Sequence, residues 1–336
     1  MAETVARETG RPLGRRARPE GRRLWVYFVA PLFAAFGLFY LWPALNTLLG
    51  SFFEWSVFNP WNLVEPATWT FAGFENYIAV LTSERFWNAA INTVVWLILF
   101  PAATTTFSLL VAVLIWQVAA GGRLFRSVFV LPMTMSLTAI GVIWKLMFNP
   151  DYGTVDGLVG FLNADISFDW GFFRFQASNW LSNPGALDLG FAELSLVNLS
   201  LIVAAFWAFT GFGVITFTAG LTAVPTELVE AGRVDGANGR QVVWHIVVPM
   251  LRRSIVVVAV VSVIFALRTF DIVWVMTAGG PANDTEVLAV LLWKQAFAFL
   301  DAPLAGQASA IAILLSVVMV TGAFPYLRGV LRGGGR

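Results

Sequence analysis

The sequence predicts an all-α, polytopic integral membrane protein with six transmembrane helices and both termini in the cytoplasm. Three observations carry this. Of 336 residues, 58% are hydrophobic and only 12% charged, with a mean hydropathy of +0.75. A soluble domain carries about 25% charged residues, so this chain has too little polar surface to face water all round. Six apolar stretches are long enough to cross a hydrocarbon core of about 30 Å. Finally, 16 of the 21 Lys and Arg fall into one alternate set of connections, which orients the chain by the positive-inside rule.

The first 23 residues hold seven arginines, Arg7, Arg11, Arg15, Arg16, Arg18, Arg22 and Arg23, and read as a disordered basic cytoplasmic tail (1–23) that reinforces topology at anionic lipid. The apolar run that follows exceeds a signal-peptide core of roughly 7 to 15 residues and has no small-residue cleavage site, so it is expected as an uncleaved first span. The membrane domain is placed at 24–328, with spans at about 24–49, 87–118, 125–148, 196–222, 254–277 and 305–327 and a short tail at 329–336. Arg123 and Arg126 mark the second inside connection, Arg233, Arg240, Arg252 and Arg253 the third, and Arg328, Arg332 and Arg336 the tail. Arg85, Lys145, Arg174 and Lys294 lie outside or at its edge. The outside segments, about 51–86, 149–195 and 278–304, are long and rich in Asp, Glu, Trp and Pro, as befits interfacial helices or a surface for an external partner.

With no cysteine and one histidine, thiol catalysis, disulfides and His/Cys metal clusters are excluded by count. A net charge of +1 gives no reason to expect a nucleic-acid partner. His245 has no nucleophile or carboxylate pair around it in sequence and is expected to pack rather than to catalyse.

Between spans four and five, a cytoplasmic insert at 223–253 interrupts the apolar pattern; its centre reads EAGRVDGANGRQVVWHIVVPM (230–250). Pro225, Thr226 and Glu227 suit a helix start, because Pro fits the first turn and an early carboxylate opposes the positive end of the dipole. Asp235, Gly236, Asn238 and Gly239 supply a turn, and an apolar second helix ends near Pro249. The prediction is a compact helical elbow beneath the pore, with Glu230, Ala231, Gly232, Asp235 and Gly236 presented to an internal partner.

The spacing Glu230-Ala231-Gly232, three residues, Gly236, nine residues, Ile246, one residue, Val248-Pro249 resembles the EAA loop of binding-protein-dependent ABC importer permeases, with Gly232 and Val248 departing from the usual Ala and Leu. RFWNAAINTVVW (85–96), GRLFRSVFVLPM (122–133), WKLMFNPDYGTVDGL (144–158) and FDIVWVMTAGGPANDTEVLAVLLWKQAF (270–297) are similar to segments of one of the paired permeases of carbohydrate importers. The resemblance implies the type I importer permease fold in the bacterial or archaeal inner membrane. It further implies a second permease as heterodimer partner, two copies of a cytoplasmic ATPase, and an extracytoplasmic sugar-binding protein. The chain itself has no GxxxxGK[ST], so it binds no cofactor by that route, and ATP with Mg is used by the partner. Glu230 is the expected partner of a basic residue in the ATPase.

The same resemblance puts the sugar among the central spans. Ser262, Phe265 and Thr269 share a face of span five at helical spacing; span four offers Trp207, Phe209 and Thr210, and span three Met133 and Ser136. Arg268 and Asp271, three apart, are expected as an intramembrane charge pair that is structural, a gate, or in contact with sugar. A di- or oligosaccharide is the expected cargo, with a sugar phosphate such as glycerol-3-phosphate as the alternative. An ion-driven secondary transporter would show repeated halves, and an enzyme of lipid-linked sugars a cluster of carboxylates; the sequence has neither.

Overall fold

The computed structural model describes residues 21–56, 70–117, 122–161, 167–169, 174–176, 180–181, 186–188, 193–298 and 304–333. Most of the basic tail lies outside the described residues, but the first helix already begins at Gly21, ahead of the expected start at 24. The chain divides into two units, Met1–Leu49 and Gly50–Arg336.

The first unit holds α1 (Gly21–Phe36) and most of α2 (Trp42–Gly50), joined by a π-helical turn at Gly37–Leu41. Its apolar stretch is exposed on every side, Phe28, Phe33, Phe39 and Tyr40 included. A helix apolar all round belongs in lipid or against other helices.

In the second unit, α3 (Glu75–Thr82) precedes the 34-residue α4 (Glu84–Gln117), which is followed by α5 (Gly122–Val130), α6 (Leu137–Met147) and α7 (Thr154–Phe161). The long α8 (Leu196–Leu221) leads into the elbow helices α9 (Thr226–Val234), α10 (Gly239–Val242) and α11 (Val248–Met250). The chain then continues through α12 (Arg252–Leu267), α13 (Asp271–Thr277), α14 (Leu288–Trp293) and α15 (Ala305–Gly333). Among the described residues, strands form short antiparallel pairs: β1 (Phe53–Glu54) with β2 (Thr70–Phe71), β3 (Ser167–Asp169) with β4 (Arg174–Gln176), and β5 (Ala186–Asp188) with β6 (Glu193–Ser195). The 149–195 segment carries hairpin pairs besides the short helix α7.

Two expected spans are not continuous helices. Pro132 lacks an amide donor, α5 tightens into a 3₁₀ turn at Leu131–Thr134, and Ser136 opens α6 by accepting from the Ala139 amide. Together α5 and α6 bend by 102°. In the fifth stretch α12 stops at Leu267, and Phe270, with φ −134° and ψ −58°, breaks the path before Asp271 starts α13. Among the described residues, three helices are long and apolar enough to cross a membrane, or up to five when the two bent pairs, 124–147 and 239–267, are each counted as one span.

The core is built on α4, α8 and α12. Trp96, Phe100, Leu201, Ala204, Ala205 and Ala266 are all buried, and the small residues among them let the helix backbones approach. Within lipid, hydroxyls must find local acceptors. Thr210 donates to the Phe206 carbonyl at 2.7 Å, Thr218 to Val214 at 2.6 Å and Ser262 to Val258 at 2.7 Å. Between α8 and α5 there is no room for a side chain at Gly211, where a Cβ would meet the Phe129 carbonyl oxygen at 2.7 Å. Because that atom is backbone, Gly211→Leu is expected to cost about 1–3 kcal/mol; the check is a lower unfolding temperature of the solubilised protein.

Candidate functional site

Three regions concentrate polar chemistry. The first is the elbow. Its helix α9 ends where Gly236 takes φ +86°, a left-handed conformation that Gly adopts at no steric cost, and no atom lies near its added Cβ position. A capping box then starts α10: Asn238 Oδ1 accepts from the Gln241 amide at 2.9 Å, and Gln241 Oε1 accepts from the Asn238 amide at 2.8 Å. A π-helical turn at Val243–Val247 and α11 complete the return, and the chain enters α12 through a 70° bend.

The elbow is welded to the membrane helices. Val224, Val229, Val242, Val247 and Leu251 pack with Ala112, Phe217, Leu221 and Val258 in one buried cluster. A rigid joint of this kind passes a displacement to α8 and α12 rather than absorbing it. Its surface exposes Glu230 and Val234, the latter with 88% of its surface free. Gly232 faces inward instead: a methyl there would sit 2.6 Å from Ile246 Cδ1, so its smallness serves the elbow's own packing. His245 is exposed rather than packed, its Nδ1 3.0 Å from the Gln241 carbonyl oxygen. Between the elbow and the C-terminal half of α4 lies a groove of about 920 Å³ lined by Glu230, Arg233, Arg240 and Trp244 among others.

A second site is a cavity of about 310 Å³ at the break in the fifth stretch, lined by Leu137, Phe209, Phe265, Arg268, Thr269 and Asp271. It collects three of the expected pathway residues and both charges. Arg268 and Asp271 are exposed on either side of the helix break and form no ion pair with each other, because the α-helical i, i+3 geometry is lost there. Phe265 packs against Phe209 and Phe100, with ring centroids 5.0 Å apart in each case. The remaining expected residues lie elsewhere. Ser262 and Thr210 are buried and satisfied within their own helices, Trp207 packs edge-on to Trp144, Met133 is exposed, and Ser136 caps α6.

The third region was missed from sequence. Glu286, fully buried, accepts from Arg85 Nε at 2.6 Å and Nη2 at 2.8 Å and lies 2.8 Å from Lys294 Nζ. Burial raises the Glu286 carboxyl pKa, but hydrogen bonds and charge from Arg85 and Lys294 outweigh that and hold it below the usual carboxylate range. Asn92 donates to the Asp284 and Glu286 carbonyls at 2.8 and 3.0 Å, Asn198 donates to the Asp284 carbonyl at 2.9 Å, and Thr93 Oγ1 accepts from the Leu288 amide at 3.0 Å. The 279–288 loop is thereby clipped to α4 and α8. Asparagines inside apolar runs were the available signal, since buried amides in a membrane require partners.

Residues 104–328, about two thirds of the chain, match the model of the family described as binding-protein-dependent transport system inner membrane component. The chain belongs to this family. It is 31% identical over 293 residues to the osmoprotective compounds uptake permease protein GgtC of Synechocystis sp., covering 87% of this chain and 94% of that protein. It is 29% identical over 299 residues to the sn-glycerol-3-phosphate transport system permease protein UgpA of Agrobacterium fabrum, covering 89% and 92%. Among solved structures, a bacterial ABC transporter involved in the import of the acidic polysaccharide alginate superposes with a TM-score of 0.70 at 19% identity, covering 92% and 97%, which shows the shared fold. The chain is thus an inner-membrane permease subunit of a binding-protein-dependent ABC import system, a membrane component and not an enzyme. The family match runs from α4 into α15 and includes the elbow and the central cavity of this permease.

Proposed function

We propose that this permease forms one half of a heterodimeric pore, with a second permease, that imports a di- or oligosaccharide delivered by an external binding protein. Two copies of a separate ATPase, using ATP and Mg, drive it through the elbow. The observation that carries this reading is the elbow itself: a joint packed into α4, α8 and α12 whose surface exposes Glu230 and Val234. Both termini are cytoplasmic in this reading, and six spans cross the membrane once the bent pairs and α15 are counted.

The cargo assignment is supported by the 310 Å³ cavity, where a guanidinium donor, a carboxylate acceptor and a hydroxyl stand beside Phe209 and Phe265. That mixture suits sugars, which have hydroxyl rims and apolar C–H faces. Glycerol-3-phosphate or another sugar phosphate is the second reading; Arg268 in the cavity and the Agrobacterium relative favour it. Proteoliposomes holding both permeases and the ATPase decide among these. ATP-dependent uptake of a neutral sugar in the presence of its binding protein is the expected result. Uptake driven by an ion gradient without ATP contradicts it, and uptake restricted to phosphorylated solutes favours the second reading.

A further inference from the structure

Beside the central cavity, four aromatic rings follow one another along α13 and the helix formed by α14 and its π-helical continuation at Lys294–Ala298. Phe270, which lines the cavity, stacks on Trp274 with centroids 5.7 Å apart and planes 11° apart. Trp274 meets Trp293 at 4.3 Å, and Trp293 meets Phe297 at 6.0 Å. Phe270, Trp274 and Trp293 are each only partly buried, and Phe297 is 55% exposed. In the orientation proposed above this run lies on the external side and ends at Arg268 and Asp271.

We propose that Phe270, Trp274, Trp293 and Phe297 form a stacking track along which the pyranose rings of a neutral oligosaccharide pass from the outer mouth to the Arg268–Asp271 cavity. The proposal rests on the sugar reading above and adds the residues and the preference for several linked rings. Large rigid aromatic faces give contact area at low conformational cost and fit the apolar C–H face of a pyranose. Interfacial tryptophans that merely anchor a helix stand at the headgroup level as a belt. Here the rings instead form a continuous run that ends at a donor and an acceptor.

The test uses the whole transporter in nanodiscs, with its binding protein, and measures ATPase stimulation and uptake for neutral gluco-, xylo- and manno-saccharides of one, three and five rings. In Trp274→Ala, Trp293→Ala and Phe297→Ala, KM for three- and five-ring sugars should rise about tenfold while that for the monosaccharide stays nearly unchanged. Trp293→Phe should restore most of the loss. Phe297→Ala, at the most exposed ring, keeps the test open if either tryptophan variant fails to assemble with the sister permease. Equal effects at every chain length, or no effect, overturn the track and leave the sugar reading standing. Stimulation by phosphorylated or other charged solutes, and by none of the sugars, overturns both.

Discussion

Glu230→Ala is expected to cut sugar-stimulated ATP hydrolysis by roughly 30-fold or more in the assembled transporter, while leaving the permease inserted and paired with its sister subunit. The size follows from the cost, about 2–5 kcal/mol, of removing one member of a hydrogen-bonded charge pair at an interface. Glu230 is exposed in the isolated chain and supports nothing internal, so its loss should leave folding unchanged. Gly236→Asp tests the same surface by a different route. The backbone there sits at φ +86°, and an L-residue adds strain of about 1 kcal/mol without meeting any neighbour. A deficit in coupling larger than that strain would come from the new carboxylate facing the partner. ATPase assays with the loaded binding protein, set beside co-purification of the ATPase, separate weakened docking from failed coupling.

Glu286→Gln should produce the second large effect, a loss of about 3 kcal/mol in stability, at the low end of the range for breaking a buried ion pair because Arg85 keeps 31% of its side-chain surface exposed. The amide cannot balance Arg85 and Lys294, and the 279–288 loop loses its main clip to α4. The pH dependence has a definite sign. A carboxyl whose folded pKa is lowered contributes its stability fully above its ordinary value near 4.5, and loses it as pH falls through the folded value below that. Wild-type protein should therefore lose stability on acidification below about pH 4.5, and Glu286→Gln should lose less over the same window. An unfolding temperature that falls equally in both would contradict the assignment.

Much of this fold was legible because lipid leaves the chain few choices. Span length found the long apolar helices α4 and α8, and the turn chemistry of Asp235, Gly236 and Asn238 located the two-part elbow. The breaks were harder to read. Apolar periodicity runs straight through 131–136 and 268–270, and only Pro132 hinted at the first; the second depends on the backbone of Phe270, which no composition announces. For the same reason the Arg268–Asp271 spacing suggested a helical pair that does not form, whereas Phe265 and Thr269, beside the break, and Phe209 of α8 all line the cavity. The Glu286 cluster joins residues 201 positions apart in the chain, a separation that local patterns do not encode. Gly232 was expected to be small for contact with a partner; a side chain there would meet Ile246 within the elbow.

The central claim, that the elbow is where the ATPase grips this permease, is tested most directly by proximity. The chain has no cysteine, so Val234→Cys places a single reactive thiol on the exposed surface of the elbow. With a photo-activated cross-linker attached there, illumination of the whole transporter should join this chain to the ATPase subunit, with a yield that changes when ATP binds. A cross-link to lipid or to the sister permease alone, with the ATPase present and active, would contradict the account.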